Sequence, residues 1–390
     1  MKTNFQTNEE MTIKGCIHIP KCLSFAAVVC FAFVALYLFS GSSANRDNVP
    51  ESADSLTDSI HLIFVGDVMG HETQLTGAWS EGGDSYYNFA PVFQWVKEYI
   101  SSADLAIANF EVTLAGEPYT GYPTFSSPVS LAVALQDAGF NIFLTANNHI
   151  LDRGVKGLEQ TLDALDNLGI AHTGSFKDSL RWITDYPLII EEKGFRLAFL
   201  NYTYSTNMSR AKPPIIVNYL DTTLIIADLA RCNEMDVDFI IACVHWGDEY
   251  KNNENQEQRQ IADFLAQNGC SLIVGSHPHV VQPLKKIAVS ATDSVLVAYS
   301  LGNFVSNQRW RYSDGGIMLD VTLTKTNGIA KLHSYHYEPF WVRRYPEKGV
   351  QVYRIIPVID YLSDPDRYPI SIEDEKLLMQ FYRDTKKIVN

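Results

Sequence analysis

Short, β-rich apolar runs recur along this chain, and each breaks off into a polar or glycine cluster: HLIFVGD (61–67), DLAIANFE (104–111), NIFLTANNH (141–149), DFIIACVHWG (238–247), SLIVGSHPH (271–279) and SVLVAYSLGNF (294–304). Between several of them lie segments with helical spacing: NFAPVFQWVKEYISSA, SPVSLAVALQDAG, GLEQTLDALDNLG and QEQRQIADFLAQNG. The last three close on Ala-Gly, Leu-Gly and Asn-Gly, as helix C-caps favour. Strand, helix, strand repetition with near-continuous apolar strands calls for a sheet covered on both faces, within one α/β domain. The stretch from about 184 to 227 has strand-like pieces and few helical signals, which fits a second sheet or an antiparallel extension. Two further strand-like runs follow Gly315, separated by a turn signal at Asn327-Gly328. A charged helix-competent segment, EDEKLLMQFYRDTKK, closes the chain.

Composition bounds the function classes. The 390 residues are 46% hydrophobic and 19% charged, a globular balance. A formal charge of −14 argues against broad attraction to nucleic acid or anionic lipid, which needs a basic face. An anionic substrate would therefore require a local source of positive charge. Residues 1–21 read as a cytoplasmic N-terminus carrying Lys2, Lys14 and Lys21. Residues 22–39, CLSFAAVVCFAFVALYLF, are close to the length that spans a bilayer. Basic residues before that run keep the amino end inside and place everything after it outside the cell membrane. Small residues up to Ala44 leave cleavage as a secretory signal as the competing reading, and both readings export the rest. Residues 40–60, rich in Ser, Asp and Asn, form a linker. Of the six cysteines, Cys232, Cys243 and Cys270 lie in the exported part without metal or disulfide-framework spacing.

The residues that end the runs are Asp67, Glu111, Asn148 with His149, His245, His277 with His279, and Asn303. In open α/β sheets ligands bind beyond the carboxyl ends of strands, so these side chains are expected to gather at one crevice. Each alone has a plainer reading: a terminal Asp is commonly a helix cap, Asn-Asn commonly marks a turn, and a lone His is commonly structural. His277-Pro278-His279 is more telling, because proline favours an extended His277, and residues two apart on an extended segment share a face. Carboxylates, an amide and imidazoles at one edge form a metal-ligand inventory.

GDVM (66–69), NFE (109–111), ANNHILDRG (146–154), VHWGDE (244–249), GSHPHVVQ (275–282) and SLGNF (300–304), in that order, resemble the motif set of the CapA family. These are poly-γ-glutamate capsule synthesis proteins related to calcineurin-like metallophosphoesterases. The resemblance covers roughly 60–308. It implies a metallo-dependent phosphatase-like, four-layer α/β/β/α sandwich over 61–308, with the N-terminal membrane segment before it and C-terminal strands and a helix over 309–390 completing it. Carried over by position, it implies that Asp67, Glu111, Asn148, His245, His277 and His279 are metal ligands, Glu111 standing where the superfamily has a bridging aspartate. His149 corresponds to a substrate-facing acid. One departure stands out: the superfamily's first motif is Asp-x-His, and Met69 occupies the histidine position. His71 lies nearby but does not match.

This donor mixture suits one or two Mn, Zn or Fe ions rather than Ca. The expected reaction is phosphoesterase-type hydrolysis, with His149 protonating the leaving oxygen and Asp152 orienting His149. A helix cap or dipole partner is the equally open role for Asp152. Arg153 and Asn303 are candidate substrate contacts, with a surface position and a role behind a ligand as their respective alternatives. Expected partners are an anionic polymer or phosphorylated substrate, the membrane through the N-terminal helix, and other capsule-synthesis membrane proteins; nucleic acid is not among them. The rival to hydrolysis is a non-catalytic component that holds a polyanion during polymer synthesis or export.

Overall fold

The structure, a computed structural model, describes residues 57–389. The expected membrane segment at 22–39 lies outside the described residues, and no helix among those described is long and apolar enough to cross a membrane. The chain runs through β1 (Thr57–Val68), α1 (Glu72–Glu81), α2 (Ala90–Phe93), α3 (Lys97–Ser101), β2 (Leu105–Phe110), α4 (Ser130–Ala138), β3 (Ile142–Leu144), α5 (Gly154–Leu168) and β4 (Ala171–Thr173). Next come β5 (Ser175–Phe176), α6 (Ser179–Asp185), β6 (Leu188–Glu192), β7 (Phe195–Thr203), β8 (Ile216–Val217), α7 (Thr222–Glu234), β9 (Phe239–His245), α8 (Gln256–Gln267) and β10 (Leu272–Ser276). Then follow β11 (Leu284–Ala288), β12 (Ser294–Ala298), β13 (Asn303–Val305), β14 (Gly315–Thr326), β15 (Ile329–Glu347), β16 (Val350–Pro357), α9 (Val358–Ser363) and α10 (Ile372–Val389).

Two sheets carry the fold. One has the order β16-β15-β14-β1-β2-β3-β4 with β13 also pairing β1, and the other β11-β12-β10-β9-β7-β6. Their inner faces meet in one apolar core: Ile60, Leu62, Phe64, Ile107 and Leu144 from the first pack with Leu197, Phe199, Ile241, Leu272 and Leu296 from the second. Side chains alternate along a strand, so Ile63 and Val65 point the other way and meet Phe93, Ile100, Leu131 and Leu135 of α2, α3 and α4. On the far side Ala198, Leu200, Ile240 and Ile273 pack against Ile225 and Leu229 of α7 and Ala262 and Leu265 of α8. The layers are thus helices, sheet, sheet, helices.

Several expectations shift. β1 begins at Thr57, before the anticipated domain start at 61, because Thr57–Ile60 continue the antiparallel pairing with β14. The segment NFAPVFQWVKEYISSA forms two short helices, α2 and α3, rather than one. At the junction, Val96 N–H bonds back only three residues, to Phe93 O at 3.1 Å. SVLVAYSLGNF is not one strand. Its first half is β12 in the second sheet, and its last residues open β13, paired in parallel with β1 of the first. Gly302, at φ +76°, makes the turn between them. A Cβ there would meet Gly315 O at 2.9 Å, so both its angle and its surroundings favour glycine.

Candidate functional site

β1, β2 and β3 run parallel in one sheet, and β7, β9 and β10 run parallel in the other. Their carboxyl ends meet at one edge of the sandwich. There the structure brings together Asp67, Glu111, Asn148, His149, His245, His277 and His279, every one buried.

Glu111 is the centre of this arrangement. Its Oε1 lies 3.7 Å from His245 Nε2, 3.8 Å from His279 Nε2 and 4.0 Å from His149 Nε2. That oxygen is buried and has no hydrogen-bond partner. Two groups of ligand atoms share the Glu111 carboxylate: Glu111 with His277 and His279, and Glu111 with Asp67 and His245. Ligand bonds to Zn are about 2.0–2.2 Å, so donors near 4 Å apart can sit on opposite sides of one ion. The unpartnered Glu111 Oε1 and His277 Nδ1 are groups that such an ion would satisfy, and the residues fit divalent metal.

The neighbours fix which ring nitrogen faces inward. Ser276 Oγ is 3.0 Å from His245 Nδ1, leaving Nε2 toward Glu111 and 2.8 Å from Asn148 Oδ1. His279 Nδ1 faces Asp67 Oδ2 at 3.0 Å and Asn303 Oδ1 at 3.1 Å, so its Nε2 also points inward. Such outer partners are what orient metal-binding imidazoles. His277 and His279 reach these positions by a route other than the expected one. Both have positive φ, +100° and +57°, so β10 stops at Ser276 and the triplet coils at its end instead of extending. The coil turns the His277 N–H onto the Asp67 carboxylate at 3.3 Å, stitching the second sheet to the first.

The charges are strongly interdependent. Burial, followed by the nearby Asp67 carboxylate, holds Glu111 well above the usual carboxyl range. Burial also pushes Asp67 upward, but His279 and Asn109 outweigh it and leave the group below its ordinary value. Burial and the neighbouring imidazoles press His245 well below the ordinary imidazole range and His277 down to about 3. His245 and His277 are therefore held neutral, the form in which an imidazole binds a cation.

His149 stands at the mouth. Its Nδ1 is 2.7 Å from Asp152 Oδ2, which also accepts the Phe125 N–H at 2.8 Å. Asp152 is not the cap of α5, a place taken by Arg153. Two candidate substrate contacts are displaced. Asn303 is fully buried behind His279 and gives its Nδ2 to Gln308 Oε1 and Ser313 O. Arg153 donates to Thr120 Oγ1 at 3.1 Å and to Pro118 O. Neither lines the cavity that opens over the cluster. That cavity, about 890 Å³, is walled by Met69, His71, His149, His279, Arg309 and Arg344 among others.

Some contributors carried no signal of their own in the sequence. Asn109 donates to Asp67 Oδ1 at 2.8 Å and lies 3.3 Å from both Glu111 Oε2 and His245 Nδ1. Its place in the NFE motif was the available clue. Asn207 backs the Asn148-His149 pair: its N–H donates to Asn148 O at 2.8 Å, and its amide lies 3.4 Å from the His149 ring. Nothing in the sequence ties position 207 to position 149.

Comparison with known proteins gives concordant matches. The family model described as bacterial capsule synthesis protein PGA_cap matches residues 61–308. The chain is 27% identical over 314 residues to the PGA biosynthesis protein CapA of Bacillus subtilis, covering 78% of each. It is 23% identical over 346 residues to the capsule biosynthesis protein CapA of Bacillus anthracis, covering 85% of this chain and 74% of that one. The solved structure of the calcineurin-like phosphoesterase YfkN from Bacillus subtilis aligns with a TM-score of 0.42 and 14% identity, covering 73% of this chain and 90% of that one.

Proposed function

The chain belongs to the bacterial capsule synthesis protein family PGA_cap, and on that premise we propose that it is a membrane-anchored, outward-facing protein of capsule or cell-surface polymer synthesis or export with a metal-dependent, phosphoesterase-type hydrolytic site. The observation that carries the hydrolytic reading is Glu111 Oε1, buried, unpartnered and faced by three imidazole nitrogens, with the His149–Asp152 pair beside it. The sequence pattern of residues 1–39 supports the anchor.

In this reading one or two Mn, Zn or Fe ions would be held by Asp67, Glu111, Asn148, His245, His277 and His279. When bound, they supply Lewis acidity, positive charge for an anionic substrate, and activation of water near neutral pH. The remaining work falls to the chain itself. Asp67 and Asn303 hold His279, and Ser276 holds His245, each with Nε2 inward. Asp152, anchored by the Phe125 N–H, accepts from His149 Nδ1 and favours the doubly protonated ring, whose Nε2 proton can pass to a leaving oxygen. The walls of the crevice exclude bulk water from the buried ligands.

A second reading, a polyanion-holding component without turnover, is favoured by Met69. This buried thioether occupies the expected histidine position, with its sulfur 4.0 Å from Gln308 Nε2. The two are separated by metal content of the full chain in detergent and by turnover of a phosphomonoester and a phosphodiester. The hydrolytic reading requires at least one equivalent of transition metal and turnover that His149→Ala abolishes. Polymer binding that persists in both proteins without turnover supports the second.

A further inference from the structure

Five arginines, Arg309, Arg311, Arg343, Arg344 and Arg354, lie on β15, β16 or the segment leading into β14. Three have acidic partners: Arg311 with Asp384 at 3.1 Å, Arg343 with Asp374 at 2.9 Å and Arg354 with Glu81 at 2.7 Å. Arg309 and Arg344 form no ion pair among the described residues, and these are the two that line the cavity beside His149 and His279. Strand alternation explains part of this selection: Arg343 and Arg344 are consecutive on β15, so Arg343 turns to Asp374 and Arg344 to the opposite face.

The environment of Arg309 is unusual. One nitrogen, Nη1, donates to Val342 O at 3.0 Å. Nε and Nη2 are shielded from solvent and have no hydrogen-bond partner. The guanidinium charge thus sits at the cavity wall with one backbone hydrogen bond of its own. Burial and the charge of Arg344 outweigh the opposing pull of Tyr353 and Asp314 and hold this guanidinium down at about 10. Arg344 is exposed and fixed by Asn307 Oδ1 at 3.0 Å, itself bound by the Tyr353 hydroxyl at 2.6 Å. The carboxylate lining the cavity, Glu249, pairs with neither arginine. In a chain of net charge −14, two arginines at one cavity wall with no ion pair among the described residues are placed to take an anion from outside.

We propose that Arg309 and Arg344 form an anion subsite beside the metal-ligand cluster, so that the cavity takes a substrate bearing at least two anionic groups, carboxylate or phosphate, one at the cluster and another at the arginine pair. The cavity of about 890 Å³ has room for such an extended ligand. The inference rests on the reading of the cluster as a metal centre. Arg309 and Arg344 hold and orient; the chemistry stays at the cluster.

The test measures binding to the full chain in detergent, loaded with Mn, by calorimetry. A γ-linked glutamate oligomer and inorganic tripolyphosphate are the multi-anion probes, and orthophosphate is the single-anion control. Arg344→Gln, on an exposed side chain, is expected to weaken at least one multi-anion probe tenfold or more while orthophosphate stays within twofold. Arg309→Gln should weaken it further, and Arg344→Lys should recover part of the loss. The probe that loses more identifies carboxylate or phosphate as the group recognised. The subsite is overturned if the wild-type chain binds neither multi-anion probe, if both glutamine variants bind them as tightly as wild type, or if orthophosphate weakens in parallel. Metal content on the same samples separates the two layers. A chain with less than one equivalent of metal fails the metal reading, whereas a loaded chain with unchanged multi-anion affinity fails only the subsite.

Discussion

His149 Nδ1 lies 2.7 Å from Asp152 Oδ2, and the same oxygen accepts the Phe125 N–H at 2.8 Å, so the carboxylate that orients the ring is itself held by backbone. His149→Ala should lower kcat by about 10²–10⁴, the range for loss of a general acid, while metal content stays at the wild-type level. Asp152→Asn should lower kcat less and alter its dependence on pH, because an amide orients the ring without stabilising its charge. Steady-state kinetics from pH 5 to 9, with metal content measured in parallel, checks both.

A metal-binding role for Glu111 would come at a cost to the metal-free fold. Its carboxyl is fully buried beside Asp67, and its Oε1 is unpartnered. Glu111→Gln removes the repulsion, so the chelated variant should be more stable than the chelated wild type by on the order of 1–2 kcal/mol. With metal present the order should reverse, since both ligand groups include this residue. Thermal melts with and without chelator test the crossing, and bound metal per chain should fall in the variant.

Gly66 sits between Val65 and Asp67, where a Cβ would stand 1.9 Å from Gly302 O. That oxygen also accepts the Asp67 N–H at 3.0 Å, so it cannot retreat without losing the bond that holds β1 to the crossing segment. Gly66→Ala should destabilise the chain by about 3 kcal/mol or more. Gly328→Ala, whose Cβ meets nothing within 4 Å but whose φ is +80°, should cost only about 1 kcal/mol. Chemical denaturation of the two variants gives the comparison.

Asp228 provides a pH-dependent test away from the metal ligands. It accepts hydrogen bonds from the hydroxyls of Tyr202 at 2.8 Å and Tyr186 at 3.1 Å, and burial raises its pKa from 3.8 to about 6. A raised folded-state value means that its contribution to stability is full below pH 3.8 and lost as pH rises through about 6. Asp228→Asn should therefore gain in melting temperature relative to wild type as pH goes from 4 to 6, with a constant difference above about 7. A difference that does not vary with pH would refute the assignment.

The sequence revealed the layers of this fold more readily than its joints. Near-continuous apolar runs and helical segments closing on glycine are local signals, and β1, β2, β9, β10, α4, α5 and α8 follow them. α7 was hidden because its sequence, TTLIIADLARCNE, mixes β-branched residues with helix formers. Asp221 sets its start, with its side chain accepting from Thr223 and Leu224 N–H. SVLVAYSLGNF reads as one strand because nothing local says that Gly302 passes the chain to the other sheet. The clustered residues could be anticipated because each lies at or just beyond the carboxyl end of a strand. Arg309 and Arg344 could not, since what distinguishes them from their neighbours is the absence of an acid in space. His277 and His279 were legible as a pair but not as a conformation, because the proline between them constrains one angle while the turn onto Asp67 sets the others.

The crossing from β12 to β13 has a consequence for how the domain comes apart. Asp67, Glu111 and Asn148 belong to one sheet and His245, His277 and His279 to the other, and the crossing fastens the two together beside them. An ion bound there would act as a clasp across the seam, favouring the closed sandwich over any state in which the sheets part by the ratio of ligand concentration to dissociation constant. Metal starvation would then loosen the whole sandwich, making the protein's lifetime a readout of the metal supply around it.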